Sequence, residues 1–284
     1  MLRLLRTYAS FVRFGHSVFA LPFALVGVLL AAQETFVAPV RIGWIVAAMV
    51  TARTAAMGFN RIVDARFDAL NLRTANRELP RGELSLGDAV WLVSVASLAF
   101  VLITTQLGWV CVLLSPVALA IVFWYSLAKR FTTYSQLFLG LALAVAPVGG
   151  WLAAGGGRGW EPWLLALGTG TWVAGFDIFY ACQDIEFDRT QGLHSIPARF
   201  GVRRSLSIAR WLHLITVVAL AGVALVTSLG VWYLAGVGGV ALLLTYEQSL
   251  VRVDDLSRIK QAFDLNGYVG FFYLASTSAA IYVG

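Results

Sequence analysis

Hydrophobic residues run along this chain in long unbroken stretches, and polar residues fall in the short gaps between them. The apolar runs cover about residues 18–33, 41–59, 89–107, 108–127, 133–154, 162–181, 205–227, 229–250 and 264–283, each near the roughly 20 residues that a membrane-crossing helix needs. Their apolar positions are continuous rather than alternating, which disfavours the strands of a β-barrel. The pattern predicts an all-α polytopic membrane protein with nine transmembrane helices. Nothing is left over for a soluble domain or linker, so 1–284 is expected to form a single transmembrane domain.

Charge orients these spans. Arg3, Arg6 and Arg13 precede the first run, and Arg61, Arg66, Arg73, Arg77 and Arg81 follow the second. Lys129 and Arg130 follow the fourth, Arg189, Arg199, Arg203, Arg204 and Arg210 surround the gap after the sixth, and Arg252, Arg258 and Lys260 follow the eighth. Of the 21 basic residues only Arg41 and Arg158 fall on the other side, with Arg53 inside a span. The positive-inside rule then places the amino terminus in the cytoplasm and the carboxyl terminus outside. A net charge of +6 reflects this topology, and no nucleic-acid partner is implied. Composition agrees: 59% of residues are hydrophobic and 13% charged, against about 25% charged in soluble proteins, and mean hydropathy is +0.78.

The start, MLRLLRTYASFVRFGHSVFALPFALVGVLLAAQ, has the basic, apolar and small-residue order of a signal peptide. The many spans that follow favour its use as the first of them, with residues 1–15 as an amphipathic helix on the membrane surface. Cys111 and Cys182 lie far apart inside expected spans and are read as buried thiols, not as a disulfide or metal site.

Against this background the acids stand out. An Asp near the middle of a membrane helix costs roughly 2.5–3.5 kcal/mol, so acids at a span are functional candidates. Positions four and seven apart share a helical face. Asn60, Asp64 and Asp68 in NRIVDARFD therefore form a stripe at the end of the second run, with Arg53 on the same side. Asp184 and Asp188 in DIEFD repeat the spacing after the sixth run, with Asp177 seven residues before Asp184. Carboxylate and amide oxygens suit Mg²⁺, which commonly shares its coordination with substrate phosphates. Arg73, Arg77, Lys129, Arg130, Arg189 and Arg199 lie in the same three cytoplasmic gaps and suit phosphate oxygens. Together these describe a diphosphate site. The plainer alternative pairs Asp64, Asp68 and Asp188 with Arg61, Arg66 and Arg189 at solvated helix ends; two motifs of one form on one membrane face argue against it. Phe59, Phe67, Trp124, Tyr125, Tyr134, Phe176, Phe179, Tyr180 and Phe187 lie in or beside the same segments. A π face stabilises a carbocation as an allylic diphosphate ionises, although each aromatic taken alone also fits an interfacial anchor.

These segments resemble the UbiA superfamily of intramembrane aromatic prenyltransferases. The similarity runs through RFGHSVFALPFAL, AMGFNRIVDARFDALNLRTANRELPRGELS, YSLAKRFTTYSQLFLGLALAVAPVGGW, FDIFYACQDIEFDRTQGLHSIPARFG and YEQSLVRVDDLS. Within the superfamily the chain is similar to the bacterial 4-hydroxybenzoate polyprenyltransferases, especially the branch linked to menaquinone made through futalosine. The resemblance implies nine helices around a central cavity that opens sideways to lipid, in a bacterial inner membrane with the active site facing the cytoplasm. It implies a polyprenyl diphosphate donor and an aromatic acid acceptor, either 4-hydroxybenzoate or 1,4-dihydroxy-6-naphthoate. Asn60, Asp64 and Asp68 take the place of the first Mg²⁺-binding motif, Asp184 and Asp188 the second, and Arg77 and Lys129 the diphosphate-binding cations. Asp68 or Asp177 is the candidate base. Gly15 stands where a polar or acidic residue is usual, and Gln136 where a His is frequent.

Two other classes fit less well. CDP-alcohol phosphotransferases gather their acids in one compact stretch, whereas here Asp64 and Asp184 are far apart in the sequence. A cation- or proton-coupled transporter places its acids near the midplane at broken helices, whereas these sit at the expected cytoplasmic edge.

Overall fold

The computed structural model describes residues 7, 8, 10–12 and 19–283. Most of the surface helix expected over 1–15, together with Gly15 and the basic residues Arg3, Arg6 and Arg13, lies outside the described residues. Helices follow in order: α1 Leu21–Ala31, α2 Pro39–Leu70, α3 Leu86–Thr104, α4 Trp109–Ala128, α5 Ser135–Ala154 and α6 Glu161–Ala181. A 3₁₀ turn, Cys182–Asp184, leads into α7 Ile185–Thr190, and then come α8 Ile196–Val226, α9 Val231–Leu250 and α10 Ile259–Tyr282. Among the described residues no strand forms beyond one isolated bridge between Arg252 and Asp255.

Each expected apolar run has its helix, but the ends differ. α1 holds only 11 residues, about 16 Å at 1.5 Å per residue, so it is shorter than the lipid core. α2 continues past the apolar run to Leu70, because Asn60 to Asp68 keep the helical ladder although their side chains are polar. α8 begins at Ile196 rather than 205: Ser195 caps it by accepting from the Ala198 N–H at 3.2 Å, and Pro197 sits in its first turn. Gly201, at φ 74°, breaks its course, a conformation that only glycine adopts without strain. Among the described residues six helices are long and apolar enough to cross a membrane: α2, α3, α4, α5, α6 with the turn and α7, and α8. α9 and α10 have the length, but Glu247 near the end of α9 and Lys260, Asp264 and Asn266 at the start of α10 dilute their apolar character.

The chain divides into two compact units, Met1–Ser17 with Pro39–Leu127, and Val18–Ala38 with Ala128–Gly284. In the first, α3 is set by a capping box in which Ser85 accepts from Asp88 N–H and Asp88 accepts from Ser85 N–H. Its small core joins Phe11, Val12, Leu84 and Ala89, with Met57, Ile62 and Leu79 packed around them. α4 has mean hydropathy 2.2 with only 11% of its span buried in protein, as expected of a helix whose apolar side faces lipid. In the second unit small residues let backbones approach. A Cβ on Gly150 of α5 would lie 2.2 Å from the Ala24 carbonyl oxygen of α1, and one on Gly140 would lie 2.2 Å from that of Gly170 in α6, the close packing that holds helices together where the surroundings are as apolar as the side chains.

Candidate active site

The first acidic motif stands on the last turns of α2. Because that helix is unbroken, Asn60, Asp64 and Asp68 keep one face, and the Asn60 amide donates to Asp64 Oδ2 at 3.2 Å. Asp64 and Asp68 are buried, 4% and 6% exposed. The chain leaves α2 through a series of tight turns, among them Ala75 N–H to Asn71 O at 2.8 Å and Arg77 N–H to Thr74 O at 3.0 Å. Thr74 Oγ1 donates to the Asp68 carbonyl oxygen at 3.1 Å. These turns bring Arg77 back over the helix end, where its Nη1 donates to both oxygens of Asp68 at 2.7 Å. The ion pair of Asp68 is thus made across the loop and not with Arg66, which is exposed. Arg73 is exposed, its backbone N–H taken by Asn71 Oδ1 at 2.9 Å. The Nε atoms of Arg53 and Arg77 are buried with no hydrogen-bond partner. Arg53 has Tyr125 of α4 as its electrostatic neighbour.

Buried guanidinium N–H groups without acceptors favour an anion, and the oxygens of Asn60, Asp64 and Asp68 are hard donors suited to Mg²⁺. Among the described residues no three His, Cys, Asp or Glu side chains form a ready-made metal cage. Mg²⁺ needs none, since it usually takes one or two carboxylates and completes its shell with water and substrate phosphate. The residues present fit it.

The second motif lies where α6 gives way to the 3₁₀ turn. Three residues advancing about 120° instead of 100° swing Asp184 by roughly 60° around the axis. The face expected to be shared by Asp177 and Asp184 is accordingly looser than a continuous helix would make it. Asp177 and Asp184 are half-buried and Asp188 is buried. Asp188 accepts from Ser195 Oγ at 2.8 Å, and its carbonyl accepts from Leu193 N–H at 2.8 Å. The same loop is pinned to the start of α5: His194 N–H donates to the Lys129 carbonyl at 2.7 Å, Ser135 Oγ to the His194 carbonyl at 3.1 Å, and Ile196 N–H to Gln136 Oε1 at 3.1 Å. Lys129 and Arg130, both half-buried, are thereby tied to the Asp188 loop. Gln136, the departure from the expected His, is buried and acts as an acceptor that a protonated ring nitrogen would not provide. Arg189 is exposed, and its Nε donates to the Ala198 carbonyl at 2.8 Å, so part of its guanidinium serves the start of α8.

The aromatics divide. Phe59 stacks on Phe123 at 4.5 Å, while Trp124 and Tyr134 are half exposed, as interfacial anchors are. In the second unit Tyr180, one turn from Asp177, lies 4.8 Å from Phe263, which meets Phe19 at 5.5 Å and Phe176 at 5.6 Å. Phe19 and Phe263 were not expected there, since only their apolar character shows in the sequence. Also unforeseen is a buried chain in which Trp172 Nε1 donates to Asn266 Oδ1 at 2.6 Å and Asn266 Nδ2 to Glu247 Oε1 at 2.8 Å. Glu247 lies in the YEQSL segment, and polarity at such a depth was the available clue. Cys182 is buried and Cys111 half-buried, both as free thiols.

The UbiA prenyltransferase family matches residues 20–276. The 4-hydroxybenzoate octaprenyltransferase of Aeromonas salmonicida (strain A449) is 31% identical over 218 residues, 77% of this chain and 75% of that protein. The 4-hydroxybenzoate octaprenyltransferase of Cronobacter sakazakii (strain ATCC BAA-894) is 32% identical over 232 residues, covering 80% of this chain and 79% of its own. The apo structure of a UbiA homologue from Aeropyrum pernix K1 superposes with a TM-score of 0.84 at 35% identity, over 92% of this chain and 96% of that one. A UbiA homologue from Archaeoglobus fulgidus bound to GPP and Mg²⁺ shares the fold, with a TM-score of 0.73 at 20% identity over 97% and 99% of the two chains. This multi-pass membrane chain belongs to the UbiA prenyltransferase family.

Proposed function

We propose that the chain, acting as one prenyltransferase domain with nine membrane spans and a cytoplasmic amino terminus, transfers a polyprenyl group from its diphosphate to the ring of an aromatic acid in quinone biosynthesis. The acceptor is 4-hydroxybenzoate, as the names of the relatives suggest, or 1,4-dihydroxy-6-naphthoate in a menaquinone route. The observation that carries the proposal is the face of half-buried Asn60 with buried Asp64 and Asp68, and Arg77 folded onto Asp68, because acids alone would repel a diphosphate and cations alone would not hold a metal.

In this assignment Asn60, Asp64 and Asp68, and in the second unit Asp184 and Asp188, hold Mg²⁺. Bound there, Mg²⁺ would supply positive charge to neutralise the diphosphate as it departs. Arg77 and Arg53 present their unpartnered N–H groups to phosphate oxygens, and Lys129, Arg130, Arg73 and Arg189 are the further cations assigned to them. These charges favour the transition state because the leaving group is most negative there. Tyr125 beside Arg53 and Tyr180 on its aromatic stack offer ring faces to an allylic carbon gaining positive charge. The new bond forms between that carbon and a ring carbon ortho to the phenol as the carbon–oxygen bond to diphosphate breaks, and the ring proton leaves to a base. Asp68, whose two oxygens accept from Arg77 in the structure, and Asp177 are the two candidates for that base. The catalytic face would open to the cytoplasm of a bacterial inner membrane.

Purified protein in lipid nanodiscs, given Mg²⁺ and radiolabelled polyprenyl diphosphate, is expected to form a prenylated acid and release diphosphate with one of the two acceptors, and to stop when EDTA is added. Absence of product with both acceptors overturns the proposal, and a preference for the naphthoate assigns the menaquinone route.

A further inference from the structure

The amino-terminal residues Ser10 to Val12 touch both parts of the first motif, and nothing in the reaction as described uses them. Phe11 is fully buried in the small core formed with Leu84 and Ala89. It also lies over Gly58 of α2, where a Cβ would be 3.7 Å from its ring, two residues before Asn60. Its carbonyl accepts from Arg61 Nε at 3.3 Å, between Asn60 and Asp64 on the sequence. Ser10 Oγ donates to Glu78 Oε1 at 2.5 Å. Glu78 is buried, its second oxygen has no hydrogen-bond partner, and it is the residue next to Arg77.

We propose that Ser10 and Glu78 form a clasp through which the amino-terminal segment sets the position of Arg77 over Asp68. One short segment is fixed to α2 through Phe11 and to the turn-rich loop through Glu78, so it fixes the distance between the helix that carries Asp64 and Asp68 and the loop that carries Arg77. Apart from it the loop is held by Thr74 and the Arg77–Asp68 pair, and by Leu79 and Leu84 in the small core with Met57 and Ile62 of α2. That pair is the one a metal-bound diphosphate must share, because the Arg77 N–H groups are assigned to the diphosphate and the Asp68 oxygens to its Mg²⁺. An external tether keeps Arg77 in place while its contacts with Asp68 are exchanged for contacts with substrate. Ser10 and Glu78 are positioning residues in this scheme and touch no substrate.

The inference rests on the diphosphate assignment above, and its test separates the two. Ser10→Ala and Glu78→Ala each remove the tether, whereas Ser10→Thr and Glu78→Gln keep a donor facing an acceptor. The two Ala variants are expected to raise KM for the prenyl diphosphate by up to about tenfold, the upper end of what one ordinary hydrogen bond contributes, with KM for the aromatic acid within about twofold of the parent. The Thr and Gln variants are expected to restore the parent value. Amide hydrogen exchange of residues 71–84 should quicken in the Ala variants and return to the parent rate in the other two, a readout that needs no turnover. An unchanged KM for prenyl diphosphate in both Ala variants of an active enzyme, or an equal rise in both KM values, overturns the clasp. If the parent protein transfers no prenyl group, the functional assignment falls, and unaltered exchange in the Ala variants would then overturn the clasp by itself.

Discussion

Replacing Ser195 by Ala removes one oxygen from beside the second acidic motif and asks what that motif holds. The hydroxyl has two partners in the structure: it accepts from Ala198 N–H as the cap of α8 and donates to Asp188 at 2.8 Å. Loss of a Ser cap costs about 1 kcal/mol, with a range of 0.5–2, and a hydrogen bond to a charged group contributes about 1.5–3 kcal/mol. One atom makes both, so the losses are not strictly additive, and a fall of roughly 2–4 kcal/mol is expected. Against the 5–15 kcal/mol typical of a folded domain, the variant should still fold. The effect on chemistry is separable. Removing the partner that orients a metal ligand commonly weakens the metal by about 10–100-fold, so the Mg²⁺ concentration for half-maximal prenyl transfer should rise by that factor while KM for the aromatic acid holds. Ser195→Thr keeps the hydroxyl and should stay near the parent. Mg²⁺ titration of initial rates, alongside thermal unfolding in detergent, measures both quantities. A stability loss of the expected size with an unaltered Mg²⁺ requirement would falsify the assignment of Asp188 as a ligand and leave Ser195 a helix cap alone.

Asp64→Ala and Asp184→Ala should each lower turnover at least about 10²-fold, a barrier increase of roughly 2.7 kcal/mol, with protein that still inserts in the membrane; near-normal turnover in either would remove that residue from the metal site. Gly150→Ala sets a methyl group 2.2 Å from the Ala24 carbonyl oxygen, so α1 and α5 must part, at about 1–3 kcal/mol for an overpacked contact. An unchanged unfolding temperature would show that the two helices are not held at this distance. Orientation can be read by labelling with an impermeant thiol reagent in intact cells, after Cys111 and Cys182 are replaced. A cysteine at Arg158 is expected to react, and cysteines at Asn76 or Gln191 to be protected, and the opposite pattern reverses the membrane orientation.

The helices were legible because an apolar run long enough to cross lipid has few alternatives to a helix, and every expected run has one. Their ends were not legible, because hydropathy reports the lipid and not the hydrogen-bond ladder. The second run stops at 59 where the polarity changes, while α2 continues to Leu70 with the motif on its last turns. The Asn60, Asp64 and Asp68 face could be counted out at 100° per residue because nothing interrupts that helix. The same count is less secure from Asp177 to Asp184, since the 3₁₀ turn at Cys182–Asp184 carries no Gly or Pro to announce it. Partner choice was the hardest part. Arg61, Arg66, Arg73 and Arg77 all carry the charge that Asp68 requires, and Arg66 is the nearest in sequence, two residues earlier, although that spacing turns the two side chains to different sides of the helix. What selects Arg77 is the folding of residues 71–77 into successive turns that Thr74 closes onto the Asp68 carbonyl. The loop around Asp188 follows the same logic at longer range, through Gln136 and Ser135 at the start of another helix. Periodicity finds residues that share a helix face, because that geometry is set by the backbone alone. A motif's counter-ions are chosen by loops, whose hydrogen bonds join residues that no repeat in the sequence relates.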